Sequence, residues 1–129
     1  MKRIYYNKLI RDKIPEKIAK KGSAYEARKL GAKDFERELL KKVGEEASGL
    51  LNAKTKDEIT SELADVLDVV EEIKRTKRIS SAQIRSAQRL SYRTKGGFKK
   101  RLFLFWSADD GYKTNERRYA GKKRRASTG

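Results

Sequence analysis

Asp34-Phe35-Glu36-Arg37-Glu38-Leu39-Leu40-Lys41-Lys42-Val43-Gly44-Glu45-Glu46-Ala47-Ser48-Gly49-Leu50-Leu51-Asn52 is followed, two residues later, by Thr55-Lys56-Asp57-Glu58-Ile59-Thr60-Ser61-Glu62-Leu63-Ala64-Asp65-Val66-Leu67-Asp68-Val69-Val70-Glu71-Glu72-Ile73-Lys74-Arg75. Both stretches repeat apolar residues at three and four, the period of an amphipathic helix. Phe35, Leu39, Leu40, Val43, Ala47, Leu50 and Leu51 form one apolar arc. Ile59, Leu63, Val66, Leu67, Val69, Val70 and Ile73 form the second. Asp34 suits the N-cap of the first helix. Thr55 and Glu58 have the spacing of a capping box at the start of the second.

Three carboxylates break this pattern. Glu46 falls inside the first arc, between the directions of Phe35 and Leu39. Glu62 falls inside the second, between Val69 and Ile73, and Asp65 lies at its edge. An ionised carboxylate turned toward a core is costly unless it is paired or holds a metal. Two explanations stay open on spacing: pairing with a lysine or arginine from another helix, or convergence on a shared cation. Glu62 and Asp65, one turn apart, can reach the same ion. Glu36, Glu38, Glu58, Glu71 and Glu72 read as solvated surface, and Asp68 as an outer ligand at most.

Around this pair the chain is simpler. Residues 5–13 are irregular and basic. Pro15 and Gly22 bracket a short helix, and residues 25–30 alternate weakly, as a short strand would. Ser80 and Gln83 repeat the capping signature, opening a third helix that ends before Gly96-Gly97. Residues 98–106 end in Leu102-Phe103-Leu104-Phe105-Trp106 and read as a buried strand or extended segment. The expected fold is therefore mainly α. It is an antiparallel helix bundle, two long acidic helices plus a third, with a short strand or extended segment near each end. Residues 1–106 read as one domain, and residues 107–129 as a basic, loosely ordered C-terminal tail.

Composition limits the chemistry. With no Cys and no His among 129 residues, disulfides, the usual zinc ligands and Ser-His or Cys-His nucleophiles are excluded. A metal here must be a hard cation with oxygen ligands: Mg²⁺, Mn²⁺ or Ca²⁺. No apolar run of about twenty residues predicts a membrane span, and residues 1–8 lack the features of a signal peptide. A cytoplasmic protein is expected. The net charge is +16, unevenly spread: 20 Lys/Arg against 15 Asp/Glu over residues 1–79, and 14 against 3 over residues 80–129. Polyanions, nucleotides or nucleic acid, are the natural ligands.

Glu45-Glu46-Ala47-Ser48-Gly49 and, twelve residues on, Glu62-Leu63-Ala64-Asp65 resemble the Glu-x-x-Glu … Glu-x-x-Asp pattern of the all-α NTP pyrophosphatases (MazG-type). Tyr6-Asn7-Lys8-Leu9-Ile10-Arg11-Asp12-Lys13-Ile14-Pro15 and Gly96-Gly97-Phe98-Lys99-Lys100-Arg101-Leu102-Phe103-Leu104 are similar to flanking segments of that superfamily's phosphoribosyl-ATP pyrophosphohydrolase-like group. The three blocks, in order, span residues 5–104. The resemblance implies Mg²⁺, with Mn²⁺ as an alternative, held by Glu46, Glu62 and Asp65 with Glu45 as a neighbouring helper. It implies a homo-oligomer, a dimer or higher, that hydrolyses a nucleoside triphosphate or related nucleotide to monophosphate and pyrophosphate.

Such hydrolysis needs charge neutralisation and a positioned water. Glu45 or Glu46 is the carboxylate expected to orient or deprotonate that water. Lys8, Arg11 and Lys13, with Lys95 and Arg101 beside Gly96-Gly97, are the candidate phosphate clamps. One position departs from the pattern: Gly49 stands where the family has its second Glu. A glycine in mid-helix costs about 1 kcal/mol against alanine. Two readings follow, a three-carboxylate site or a weakened one; if Gly49 is the weak point, Gly49→Glu is expected to raise activity. The rival function is nucleic-acid binding on an inactive helical scaffold, through Arg117-Arg118-Tyr119 and Lys122-Lys123-Arg124-Arg125.

Overall fold

The computed structural model describes residues 2–108. They are mainly helical, with α1 (Ile14–Lys20), α2 (Ala32–Asn52), α3 (Lys56–Lys77) and α4 (Ser81–Lys95). The chain divides into two compact units, Met1–Ala87 and the residues from Gln88 onward. Each is described by itself. Residues 109–129, most of the basic tail expected from the sequence, lie outside the described residues.

Local chemistry sets the helix ends. Pro15 occupies the first turn of α1, where its missing N–H is no loss. After α1, Gly22 turns at φ +74°, and its N–H donates to the Ala19 carbonyl at 2.9 Å. Helix α2 begins two residues before Asp34, at Ala32, with extended Gly31 as its N-cap and no side-chain cap. Asp34 instead sits in the first turn. There its charge suits the helix dipole and it pairs with Arg37 at 2.6 Å.

The capping box of α3 forms in full. The Thr55 hydroxyl accepts from the Glu58 N–H at 3.1 Å, and the Glu58 carboxylate accepts from the Thr55 N–H at 2.9 Å. That carboxylate also takes the Lys54 N–H at 3.0 Å, which holds its pKa below the ordinary glutamate value. Helix α3 ends with Arg78 in the left-handed region, and the Ile79 N–H reaches back to the Lys74 carbonyl at 2.9 Å. Ser80 and Gln83 repeat the reciprocal cap at α4 with bonds of 3.1 and 2.7 Å. The helix stops at Gly96, which turns at φ +80°.

Helices α2 and α3 pack along one another, joined by the short link of residues 53–55. Leu39 and Val69 are the buried residues of this seam among the described residues. Glu36 pairs with Lys77 at one place along it, and Glu62 lies against Gly49 at another. The seam is narrower than the two apolar arcs. Leu40, Ile59, Leu63 and Leu67 stay exposed, because a two-helix contact covers only part of each arc.

Two sequence expectations are corrected. Residues 25–30 and 98–106 form no strand, and there is none among the described residues. The second segment is not buried either: Phe98 is 94% and Trp106 70% exposed. A short apolar run is compatible with several buried states and does not specify a strand. Neither segment has a ladder partner among the described residues to take its backbone hydrogen bonds. No helix among the described residues is long and apolar enough to cross a membrane.

Candidate metal centre

Glu46 projects from α2, and Glu62 and Asp65 from successive turns of α3. One carboxylate oxygen from each lies within 4.8 Å of the other two. All three side chains are half-buried. Metal–oxygen bonds of about 2.1 Å place the ligands of an octahedral Mg²⁺ ion about 2.9 to 4.2 Å apart. The 4.8 Å limit on the three oxygens is thus close to the span of a Mg²⁺ shell. An all-carboxylate donor set suits a hard cation.

Crowding shows in the protonation of Glu46. Burial raises its pKa above the ordinary glutamate value. The charge of Asp65 adds to this, Lys42 opposes it, Glu62 adds again and Arg11 opposes. A carboxylate so placed favours a proton or a cation beside it.

Two protein cations stand at the rim. Arg11 donates from Nη2 to Asp65 Oδ1 and to Asp68 Oδ2, each at 2.9 Å. This raises the Arg11 pKa, chiefly through the bond to Asp68. Lys42 lies 2.9 Å from Glu45 and 3.9 Å from Glu46, and it donates to the Leu9 carbonyl at 2.9 Å. The segment before α1 is thereby tied to both long helices, at Leu9 by α2 and at Arg11 by α3.

Of the residues singled out in the sequence, the structure brings together Glu46, Glu62, Asp65 and Arg11, with Glu45 at the edge facing Lys42. Lys8 is exposed, with its ammonium 5.6 Å from the Tyr6 ring centre. Lys13 is exposed ahead of α1. Neither bonds to the three carboxylates. Lys95, the last residue of α4, and Arg101, at φ +56°, belong to the second unit. Sequence reasoning passed over Lys42. Its signal was present, since it precedes Glu45 by three and Glu46 by four residues, the spacing of facing side chains on a helix.

A β-carbon placed on Gly49 lies 2.5 Å from Glu62 Oε2, 2.9 Å from Cδ and 3.2 Å from Oε1. The carboxylate of Glu62 thus occupies the space above that residue. Beside it a shallow groove of about 350 Å³ runs past Asn52, Ala53, Glu58 and Ser61.

No protein family, curated protein or solved structure matches this chain. The resemblance to the MazG-type pyrophosphatases rests on the three sequence blocks alone.

Proposed function

We propose that the protein is a Mg²⁺-dependent nucleotide pyrophosphohydrolase, cleaving a nucleoside triphosphate or related nucleotide to monophosphate and pyrophosphate. The observation that carries this reading is the grouping of Glu46, Glu62 and Asp65 from two helices within 4.8 Å. Three converging carboxylates repel one another; Arg11 and Lys42 offset part of that charge, and a divalent cation would offset the rest.

Glu46, Glu62 and Asp65 would hold the divalent ion. When bound, it neutralises phosphate charge and polarises the phosphoanhydride. Arg11, already at the rim through Asp65, presents planar donors to a phosphate entering the site. Glu45 or Glu46 would orient the attacking water or take its proton. Glu45 holds Lys42 in place, and Lys42 fixes the Leu9 carbonyl and with it the approach of Arg11. Lys8 and Lys13, on the same unit as the three carboxylates, would supply further positive charge for the polyphosphate as part of the same proposal.

The architecture behind this reading is an antiparallel helix bundle. Its support is that Glu36, early in α2, meets Lys77, late in α3, while Gly49 and Glu62 meet at the opposite ends. A homo-oligomer, dimer or higher, completes it. Support comes from the exposed Leu40, Ile59, Leu63 and Leu67 along the same two helices. A cytoplasmic setting belongs to the same proposal. Pyrophosphate release from a nucleotide panel with Mg²⁺, lost in Glu62→Ala, is the test. Release unaffected by Glu62→Ala ends the proposal.

One observation favours a second reading, a basic nucleic-acid-binding protein. Phe98, Phe103, Phe105 and Trp106 are exposed beside Lys99, Lys100 and Arg101, as stacking platforms beside phosphate-binding cations would be. Retardation of RNA or DNA, steeply weakened by salt and abolished by truncation after Gly97, distinguishes it.

A further inference from the structure

The contact between Gly49 and Glu62 gives the glycine a role opposite to that of a lost ligand. We propose that Gly49 is a positioning residue: its missing side chain is the seat that lets the Glu62 carboxylate lie against α2, in line with Glu46 and Asp65. The inference rests on the metal-site reading for its purpose, but its geometry stands apart from it.

Two glycines interrupt α2, and they differ. A β-carbon on Gly44 meets nothing within 4 Å, whereas on Gly49 it meets both oxygens and the carboxyl carbon of Glu62 at 2.5 to 3.2 Å. Real β-carbons do not approach oxygen as closely as 2.5 Å. Something must move, and the end of a flexible glutamate moves more readily than a packed helix backbone. Any other residue at position 49 therefore pushes the Glu62 carboxylate off α2. Glu46, three residues earlier on α2, is one turn from position 49. Displacing Glu62 moves one of the three carboxylates whose oxygens lie within 4.8 Å of one another.

Mid-helix glycine is a helix-weakening choice, and at position 44 nothing nearby requires it. At position 49 the carboxylate does. A fourth carboxylate at this place would collide with Glu62 before it could join it. Gly49→Glu is then expected to weaken the site, the reverse of what the sequence pattern implies.

The test compares wild type, Gly49→Ala, Gly49→Glu and Gly44→Ala for Mn²⁺ binding by electron paramagnetic resonance. Thermal melts in EDTA of wild type, Gly49→Ala, Glu62→Ala and the double variant run alongside. Gly49→Ala and Gly49→Glu should bind Mn²⁺ at least about tenfold more weakly, with circular dichroism retained, while Gly44→Ala binds as wild type does. In EDTA, Gly49→Ala should raise Tm more when Glu62 is also alanine than when it is present. An additive cycle, or a Gly49→Glu protein that binds Mn²⁺ more tightly, overturns the inference. A non-additive cycle in a protein that never binds Mn²⁺ upholds the seat and sinks the pyrophosphohydrolase reading instead.

Discussion

Arg11 donates a 2.9 Å hydrogen bond to Asp65 from a segment more than fifty residues away in the chain. Asp65 is also one of the three carboxylates of the candidate metal centre. A guanidinium on a metal ligand both competes with the ion and stands ready for the ion's phosphate. The two roles give opposite signs. Arg11 is 60% exposed, and an exposed pair of this kind is worth at most about 1 kcal/mol. Arg11→Ala should therefore tighten Mn²⁺ binding by no more than about fivefold, while pyrophosphate release falls by about tenfold or more. Arg11→Lys, which keeps the charge and loses the planar fork, should restore only part of the release. Titration and turnover measured on the same samples decide it. Weaker metal binding in Arg11→Ala would remove the competition from the account.

Lys42 supplies the second tie, to the Leu9 carbonyl. Its side chain is only 17% exposed, so the contact is better shielded than that of Arg11. In Lys42→Met the apolar stem is kept and the ammonium lost. Amide hydrogen exchange should quicken over residues 5–13 while α2 and α3 keep their protection. Thermal stability should fall by about 1 kcal/mol, the usual loss with one hydrogen bond. Unchanged exchange in residues 5–13 would show that the segment is held elsewhere.

The sequence carried the helices and the three carboxylates for a common reason: period and caps are local signals. Thr55 with Glu58, and Ser80 with Gln83, state the starts of α3 and α4 outright. Glu46, Glu62 and Asp65 were visible as charges out of place in an apolar arc. What the chain does not state locally was missed. Gly31, not Asp34, caps α2, because an extended glycine leaves no side-chain signature. Residues 98–106 look like a core strand because burial depends on a partner surface that the segment itself does not encode. Gly49 looked like an absence because its function is to leave room for a residue thirteen positions away.

The capping box of α3 sets a pH dependence. Two backbone N–H donors, those of Lys54 and Thr55, hold the Glu58 carboxylate below its ordinary pKa. A carboxylate depressed in the folded state stabilises the fold above its unfolded pKa. That contribution is lost as the pH falls through the lower, folded value. Glu58→Gln should therefore lower Tm near neutrality and flatten its decline on the acid side. Thr55→Ala should cost about 1 kcal/mol by removing the other half of the box. Thermal melts between pH 3 and 7, a span of about four units around the ordinary glutamate value of about 4.3, test both. Parallel curves for wild type and Glu58→Gln would mean that the cap carries no pH dependence.

Leu67 is 62% exposed and Leu63 46% exposed on α3, with Leu40 51% exposed on α2. Fully burying one such leucine stabilises by about 1.5 to 3 kcal/mol. In the proposed oligomer these three leucines, on the helices that carry the candidate metal centre, would be covered by a second copy of the chain. The chain mass is 14.9 kDa, and light scattering should report a multiple of it. Leu67→Asp separates this from a folding effect. In an isolated chain the substitution touches mostly water and should leave helicity and Tm nearly unchanged. In an oligomer it buries a charge at the contact, and the mass should drop to that of a single chain. A wild type that already scatters as one chain would leave these leucines exposed in solution and remove the oligomer from the proposal.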